Sequence, residues 1–325
     1  SGLALLGHNV VKEKHFTLED TPQYNLAFSF SVILVMAVVV MLGILGARFY
    51  LADKTYASAL RSADFADAEA KLQKTISLRK GSDIYHVAMA RAYLLRAGQI
   101  SQTSQPNVPE VADLLARAVN EAKIATEISP NAVAIWENLV TMYENAAAII
   151  PAAGEWAIKS LVKASELEPT NAVLMWRLAN NYLIAGDSAK AVEHYQKAIA
   201  LKQDYLGAYV GLANAYEAQK EIDKAVETYK VLLPMASDNS EVLFNFGRLL
   251  YNRAGREDRN DAEKLWLEAV RLQPGYSNAL YSLGLLYEGR GDRSRALQYY
   301  YKVKDINPDN KDITQKIKSL VSGAN

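Results

Sequence analysis

Cysteine is absent from this chain of 325 residues. The absence excludes disulfide bonds, thiolate ligands for a metal and a cysteine nucleophile. Proline and glycine are scarce, with 9 and 17 residues, which argues against a disordered or fibrous chain. An excess of either charge is also lacking, because 36 basic residues balance 36 acidic ones and no run of lysine and arginine occurs. A nucleic-acid partner is therefore not expected.

Arrangements typical of catalysis are missing as well. The four histidines are His8, His15, His86 and His194, and no two of them have the spacing of metal ligands on one helix. No glycine-rich phosphate loop is present. We therefore predict no catalytic residue, no metal site and no cofactor in this chain, and leave open a catalytic domain upstream of it. His194 falls on the outer face of a predicted helix, where we expect it to be exposed to solvent.

The chain does contain one long apolar run. From Leu26 to Gly46 no charged residue occurs, and a helix of that length spans about 31 Å, which matches the hydrocarbon core of a bilayer. Few buried helices lack a polar face over such a length, and a signal peptide has a shorter apolar region beside a basic one. We therefore predict a transmembrane helix over residues 26–48, with the lipid bilayer as its partner.

The charges that flank the run specify its orientation only weakly. Two basic residues precede it, Lys12 and Lys14, and three follow it, Arg48, Lys54 and Arg61. Such close counts hardly decide between the two orientations.

The segment before the run, residues 1–25, bears on the same question. It begins with an apolar stub, Gly2–Gly7, which is either the end of a preceding membrane helix or a frayed end. If the stub ends a helix, residues 11–24 form a short basic loop of the kind that faces the cytoplasm. The bulk of the chain would then lie outside the cytoplasm, which is the location that we expect.

The rest of the chain repeats a pattern of about 34 residues. Its clearest copy is SNALYSLGLLYEGRGDRSRALQYYYKVKDINPDN, from Ser277 to Asn310. The pattern places Leu-Gly, two tyrosines, an alanine and a proline at fixed offsets, and similar residue types recur at those offsets upstream. The copies cover residues 49–82, 83–132, 133–171, 172–205, 206–239, 240–276 and 277–310.

These offsets resemble those of the tetratricopeptide repeat family over most of the chain. The resemblance implies an all-α fold, in which two antiparallel helices per repeat stack into a right-handed α-solenoid. The N-terminal transmembrane helix would lead into about seven such hairpins. Residues 311–325 would then form a C-terminal capping helix and a tail.

The residue types of the last copy agree with this fold on physical grounds. Leu283, Gly284 and Tyr287 lie on one helical face. A small residue is needed at the position of Gly284 because we expect another helix to approach it closely. Gly291 falls between the two helices, and Pro308 stops the second one. Because one hairpin cannot bury its own apolar face, several copies must stack.

The first helices of tetratricopeptide repeats line a concave groove, at the second, fifth, ninth and twelfth positions of each repeat. By this resemblance the candidate groove residues are Glu137, Thr141, Trp176, Asn180, Leu183, Asn214, Glu217, Phe244, Arg248, Tyr251, Asn278, Tyr281 and Glu288. Asn180 and Asn214 stand one repeat apart, and each amide offers a donor and an acceptor to the backbone of an extended peptide. Trp176, Phe244 and Tyr281 would anchor apolar side chains. Alternatively, the concave surface merely needs solvated polar residues.

Some members of the family clamp a terminal carboxylate with lysine, asparagine and arginine at set positions. Asn214 and Asn245 match two of those positions, but Val210, Asn278 and Ser282 depart from the others. A clamp for a C-terminal carboxylate is therefore not predicted.

Two further details of the repeats can be predicted. The insertion Gly98–Glu110 is polar and holds two prolines, so it should be a flexible loop, either tolerated length or a docking element. Trp136 and Trp176 end two similar stretches, NAVAIW and NAVLMW, but differ by one residue in their distance from the next tyrosine. Because one residue turns a helix by about 100°, we predict that Trp136 packs inward and Trp176 faces the groove.

Taken together, these features predict a membrane-tethered scaffold that binds a protein or an extended peptide in its groove. A looser resemblance suggests an alternative, because the membrane helix, RFYLADKTYASAL and the repeats resemble the tails of bacterial O-antigen ligase or polymerase-like glycosyltransferases. It implies a non-catalytic C-terminal region of a polytopic enzyme that recruits glycan-assembly partners. A structural spacer or self-assembling array is the third interpretation.

Overall fold

The computed structural model describes residues 22–253 and 255–323, and no strand occurs among them. The predicted stub Gly2–Gly7 and most of the predicted loop over residues 11–24 lie outside this range. The described residues form fifteen α-helices: α1 (Pro22–Ala59), α2 (Phe65–Leu78), α3 (Asp83–Ser101), α4 (Val108–Ile128), α5 (Val133–Ala146), α6 (Ala153–Leu167), α7 (Ala172–Ile184), α8 (Ser188–Leu201), α9 (Leu206–Ala218), α10 (Ile222–Leu232), α11 (Ser240–Arg253), α12 (Arg256–Leu272), α13 (Ser277–Gly289), α14 (Arg293–Ile306) and α15 (Lys311–Ser322). The prediction of an all-α fold is confirmed.

The chain divides into two compact units, Ser1–Ala92 and Tyr93–Asn325. In the first unit, α1 is one unbroken helix that contains the whole apolar run. Leu26–Ala59 is long and apolar enough to cross a membrane, and its most apolar part has no buried residue. The polar end of α1 packs against α2, so the first hairpin begins inside the same helix that holds the apolar run.

In the second unit, each helix packs mainly against its neighbours along the chain. The pairs α5–α6, α7–α8, α9–α10, α11–α12 and α13–α14 form antiparallel hairpins. Their facing sides bury apolar side chains in successive clusters, each of which spans neighbouring hairpins. Ile313 and Ile317 of α15 join the last of these clusters. The last hairpin is therefore covered, because α15 buries an apolar face that would otherwise meet water.

Gly284 lies where an ordinary side chain would not fit. A Cβ atom at this position would stand 2.3 Å from a ring carbon of Tyr300, which is fully buried. The close approach predicted at Gly284 is thus made by an aromatic ring of the partner helix rather than by its backbone.

Three hairpins share a left-handed residue in the turn between their helices. It is Gly186 with φ +83° in α7–α8, Lys220 with φ 62° in α9–α10 and Gly291 with φ +77° in α13–α14. Asp187 and Asp292 follow the two glycines and cap the next helix through their carboxylates. The left-handed residue closes the first helix, and the aspartate opens the second.

The insertion predicted as a loop over Gly98–Glu110 is non-helical only over residues 102–107, so that prediction is wrong at both ends. Helix α3 continues to Ser101, and α4 already begins at Val108. Asn107 accepts a hydrogen bond from the backbone of Glu110 and so caps α4. Proline is tolerated in the first turn of a helix, where its missing N–H has no partner to lose, and the Pro109 signal was therefore misleading.

Candidate functional site

The first helices α7, α9 and α11 line an open cavity of about 390 Å³. Three asparagines line it, one from each helix: Asn180, Asn214 and Asn245. A fourth, Asn239, stands at the start of α11, where its amide oxygen caps the helix by accepting from two backbone N–H groups. Three amides from three successive repeats therefore lie around one space.

The asparagine from α7 is held in place by the second helix of its own hairpin. The hydroxyl group of Tyr195 donates to the amide oxygen of Asn180. Burial raises the pKa of Tyr195 to about 12, so the hydroxyl keeps its proton at neutral pH. The two N–H donors of Asn180 belong to the same amide and are thereby fixed in orientation.

The cavity walls are apolar on the side of α7 and α9. Trp176, Leu183, Leu206 and Val210 line them. The indole of Trp176 lies against α9 at Gly207, where a Cβ atom would stand 3.4 Å from its nitrogen. Because glycine has no side chain, the indole of Trp176 can lie close to the backbone at the start of α9.

Glu241 is the one charged residue among the described residues that line this cavity. A ligand that carries a carboxylate would be repelled there, because the carboxylate of Glu241 adds a like charge and no cation of the lining balances it. Among the described residues, the lining therefore offers no cation that could hold a ligand carboxylate.

A second cavity of about 610 Å³ lies between the α5–α6 hairpin and α7, with Trp176 and Asn180 in its lining too. Its polar side is a network centred on Arg177. Arg177 donates to Glu144 at 2.7 Å and to the hydroxyl of Thr141 at 3.3 Å, and Asn181 donates to Glu144 at 2.9 Å. Glu144, Arg177 and Asn181 escaped the sequence prediction, although they are the polar residues that tie these repeats together.

Glu137 and Thr141, predicted to face the groove, belong to this network. Glu137 lies 3.8 Å from Arg177, and Thr141 donates its hydroxyl to the backbone of Glu137. Both residues are thus engaged by the chain itself.

Glu217 and Arg248, also predicted groove residues, contact each other. The guanidinium group of Arg248 donates to both carboxylate oxygens of Glu217, at 2.9 and 2.8 Å. These hydrogen bonds raise the pKa of Arg248. The pair joins α9 to α11 beyond the cavity, where the sequence prediction placed two independent ligand contacts.

The remaining candidates lie along α11 and α13. Phe244 packs edge-on against Tyr276, with ring centroids 5.3 Å apart, and Tyr281 packs against Tyr300 at 5.7 Å. The hydroxyl of Tyr300 in turn donates to Glu288 at 2.6 Å.

Glu288 also forms an ion pair, and two more predicted groove residues lie at this end. Lys316 of α15 lies 3.1 Å from Glu288. Tyr251 packs against Trp266, with ring centroids 5.4 Å apart. Asn278 is exposed near the start of α13. None of the predicted groove residues Tyr251, Asn278 and Glu288 lines the cavity of the three asparagines.

The two tryptophans of the similar stretches occupy different surroundings. Trp136 is half-buried on the core between the α5–α6 hairpin and α7, and its indole N–H donates to the backbone of Pro130 at 2.8 Å. Trp176 lines both cavities and lies 5.8 Å from the ring of Tyr205. The one-residue slip therefore has the predicted effect of sending the two indoles to different places.

His194 is not exposed, so the prediction for it is wrong. Its ring stacks on Tyr182 with centroids 5.4 Å apart, and burial lowers its pKa. The Nδ1 atom is buried without a hydrogen-bond partner among the described residues. The sequence pattern gave the outer face of α8 to solvent, but the aromatic ring of the preceding helix covers this position.

Two of the polar residues left out of the predicted groove set share one place in the repeat. Arg177 and Asn245 both stand at the sixth position of their copies, three residues before the ninth. Residues three apart share a helical face, so the sixth position faces the same side as Asn180 and Asn214. That spacing was the available signal.

Comparison with protein families agrees with the geometry of the hairpins. Residues 182–243 and residues 249–311 match two family models, both described as tetratricopeptide repeat. Tetratricopeptide repeats are therefore present over these two ranges.

Curated relatives match only part of the chain. Over 166 residues, 51% of this chain, it is 31% identical to superkiller complex protein 3 of Mus musculus, of which it covers 9%. Over 106 residues, 28% of this chain, it is 32% identical to photosystem I assembly protein Ycf3 of Prochlorococcus marinus, of which it covers 61%. The chain thus spans less than two thirds of either relative.

Two solved structures share the fold. One is the C-terminal part of a repeat-containing protein from Cytophaga hutchinsonii, with a TM-score of 0.60 and 16% identity over 82% of this chain and 98% of that one. The other is a tetratricopeptide repeat protein from Parabacteroides merdae, with a TM-score of 0.55 and 13% identity over 85% of this chain and 99% of that one. At such identities the likeness concerns the fold alone.

Proposed function

We propose that this chain is a membrane-tethered scaffold that binds an extended peptide or protein segment between α7, α9 and α11. The observation that carries the proposal is the cavity in which Asn180, Asn214 and Asn245 meet. Amide side chains both donate and accept, so they can pair with a peptide backbone whatever its sequence. Trp176 and Val210 offer apolar contacts beside them, and Glu241 favours a basic side chain over an acidic one.

The binding part of the proposal is tested with the full chain in detergent and an array of immobilised peptides. Asn214→Ala together with Asn245→Ala should weaken binding of the selected peptides about thirtyfold, because two lost hydrogen bonds at about 1 kcal/mol each amount to about 2 kcal/mol. Asn278→Ala, an exposed asparagine outside the cavity, is the matched control and should bind as the parent does. Equal losses for the double variant and the control would refute the cavity as the binding site.

The tether is α1. Its apolar run has exposed side chains along its length, and burying them in lipid would remove a large apolar surface from water. In native membranes the full chain should resist extraction with alkaline carbonate, whereas a chain without residues 26–47 should be released. Release of the full chain would refute the tether.

We further propose that the repeats lie outside the cytoplasm, since a short basic loop before α1 would stay inside. The absence of cysteine makes the test direct, because one introduced thiol is the sole labelling site. Gln203→Cys, in the exposed turn before α9, should react with a membrane-impermeant maleimide in intact cells. Labelling that requires permeabilised cells would put the repeats on the cytoplasmic side.

A second candidate is the C-terminal region of a polytopic, O-antigen ligase-like glycosyltransferase that recruits glycan-assembly partners. It is favoured by the passage of α1 from the apolar run into the first hairpin without a break. The coding DNA upstream of Ser1 tests it. Several in-frame apolar segments would support this candidate, and a start codon immediately upstream would leave the single-anchor scaffold.

A further inference from the structure

The first hairpin brings the basic residues that follow α2 back to the end of the apolar run. Arg48 is the first charged residue after that run. Its guanidinium group donates to the backbone oxygen of Ser77, near the end of α2, at 3.5 Å. The next basic residue, Arg79, lies over the ring of Phe49, with its guanidinium carbon 4.9 Å from the ring centre. Lys80 follows it directly and is exposed.

The side chains of these three cations are exposed to solvent. Among the residues that the structure describes, Arg48, Arg79 and Lys80 form no ion pair with a carboxylate. The acidic residue nearest along α1 is Asp53, and its carboxylate accepts a hydrogen bond from the hydroxyl group of Tyr85. The cluster therefore keeps its positive charge open to solvent.

The cluster lies at the point along α1 where the helix would leave the bilayer. The apolar run up to Ala47 has the length of a bilayer core, so the residues after it would reach the headgroup region. Tyr50 is 68% exposed and Leu51 is 47% exposed. Tyrosine is enriched at the interface because its ring is apolar and its hydroxyl is polar.

We propose that Arg48, Arg79 and Lys80 bind the headgroup phosphate of an anionic phospholipid at the surface where α1 leaves the bilayer. Guanidinium groups match a phosphate with two parallel hydrogen bonds, and each cation near an anionic leaflet adds to the attraction. Phe49 holds the Arg79 side chain against α1 and so reduces the entropy that is lost on binding. This inference rests on the proposed insertion of α1 in the bilayer.

The experiment uses the full chain, reconstituted in nanodiscs of phosphatidylcholine and phosphatidylglycerol. The protein is then purified in mild detergent, and the lipids that remain bound to it are counted by mass spectrometry. The parent should retain phosphatidylglycerol at about fivefold enrichment over the supplied ratio. Changing Arg48, Arg79 and Lys80 to glutamine should bring the enrichment close to one.

Two controls separate charge from folding. Lys224→Gln, Lys230→Gln and Lys264→Gln remove the same charge from the repeats and should keep the enrichment. Arg48→Lys with Arg79→Lys keeps the charge of the cluster and should retain part of it. Loss of enrichment in the first control, or retention in the triple glutamine variant, would overturn the proposal.

The two proposals can fail separately. If the parent is extracted by alkaline carbonate, the tether fails, and the lipid site fails with it. If the parent resists extraction and shows no preference for phosphatidylglycerol, the lipid site alone is refuted.

Discussion

The hydroxyl group of Tyr195 donates to the amide oxygen of Asn180, across the two helices of one hairpin. Tyr195 is 0% exposed, whereas Asn180 lines two cavities. A buried residue of the second helix thus sets the orientation of a polar group on the concave side. The repeat core and the proposed binding surface are therefore linked by one hydrogen bond.

Tyr195→Phe should lower the free energy of unfolding by about 1 kcal/mol, since it removes this bond and keeps the ring. It should also weaken peptide binding, because Asn180 loses its fixed orientation. Tyr229→Phe is the matched control at the same position of the next repeat, where the buried hydroxyl has no hydrogen-bond partner among the described residues. Chemical unfolding should show no loss for the control, and equal losses would contradict the role given to the bond.

Lys220→Gly should stabilise the protein by about 0.5 kcal/mol. Lys220 occupies the left-handed conformation that Gly186 and Gly291 occupy in the other two turns, and a side chain is disfavoured there. The reverse change, Gly291→Ala, should cost about 1 kcal/mol for the same reason. Thermal unfolding measures both, and a gain from Gly291→Ala would refute the interpretation of these turns.

Gly284→Ala should destabilise the protein by about 1–3 kcal/mol, because the new methyl group would overlap the buried ring of Tyr300. Gly289→Ala, in the same helix, has no atom within 4 Å of its added Cβ. It should be neutral or slightly stabilising, since alanine favours the helix. Similar midpoints of unfolding for the two variants would contradict the close approach.

Acidification should destabilise the protein in part through His194. Burial lowers its pKa below the ordinary 6.5, Lys190 and Lys197 act in the same direction, and Glu193 opposes them. The unfolded chain then binds the proton more readily, so the contribution to stability is complete above pH 6.5 and is lost as the pH falls through the lowered pKa.

His194→Phe keeps a ring beside Tyr182 and removes the titration. Between about pH 7.5 and about pH 5.5, the parent should lose more free energy of unfolding than this variant does. Parallel losses in the two proteins would show that the imidazole does not contribute.

Much of the fold follows from the sequence because its repeated offsets constrain the same contacts again and again. Gly284 and Tyr300 illustrate this, since one must be small for the other to be buried beside it. The pairing of Asn180 and Asn214 in one cavity follows from the same periodicity. The insertion between α3 and α4 occurs in one repeat only, so no second copy constrains it. Its structure depends on local contacts such as the capping of α4 by Asn107.

The site was predicted less well because position within a repeat says where a residue lies but not what it contacts. Glu217 and Arg248 were assigned to a ligand, yet they bind each other. His194 was assigned to solvent, yet a tyrosine covers it. Pairing between neighbouring repeats depends on which two side chains coincide, and this information is absent from a single repeat pattern.

The continuity of α1 has a mechanical consequence for the first hairpin. A helix without a break has no hinge, so a turn or tilt of its apolar part would be transmitted to the segment that packs against α2. Shifting the apolar run by one residue relative to that segment would rotate the hairpin by about 100° around the helix axis. If α1 spans a bilayer, the direction in which the first hairpin points is therefore encoded in the number of residues between the lipid-facing run and Phe65.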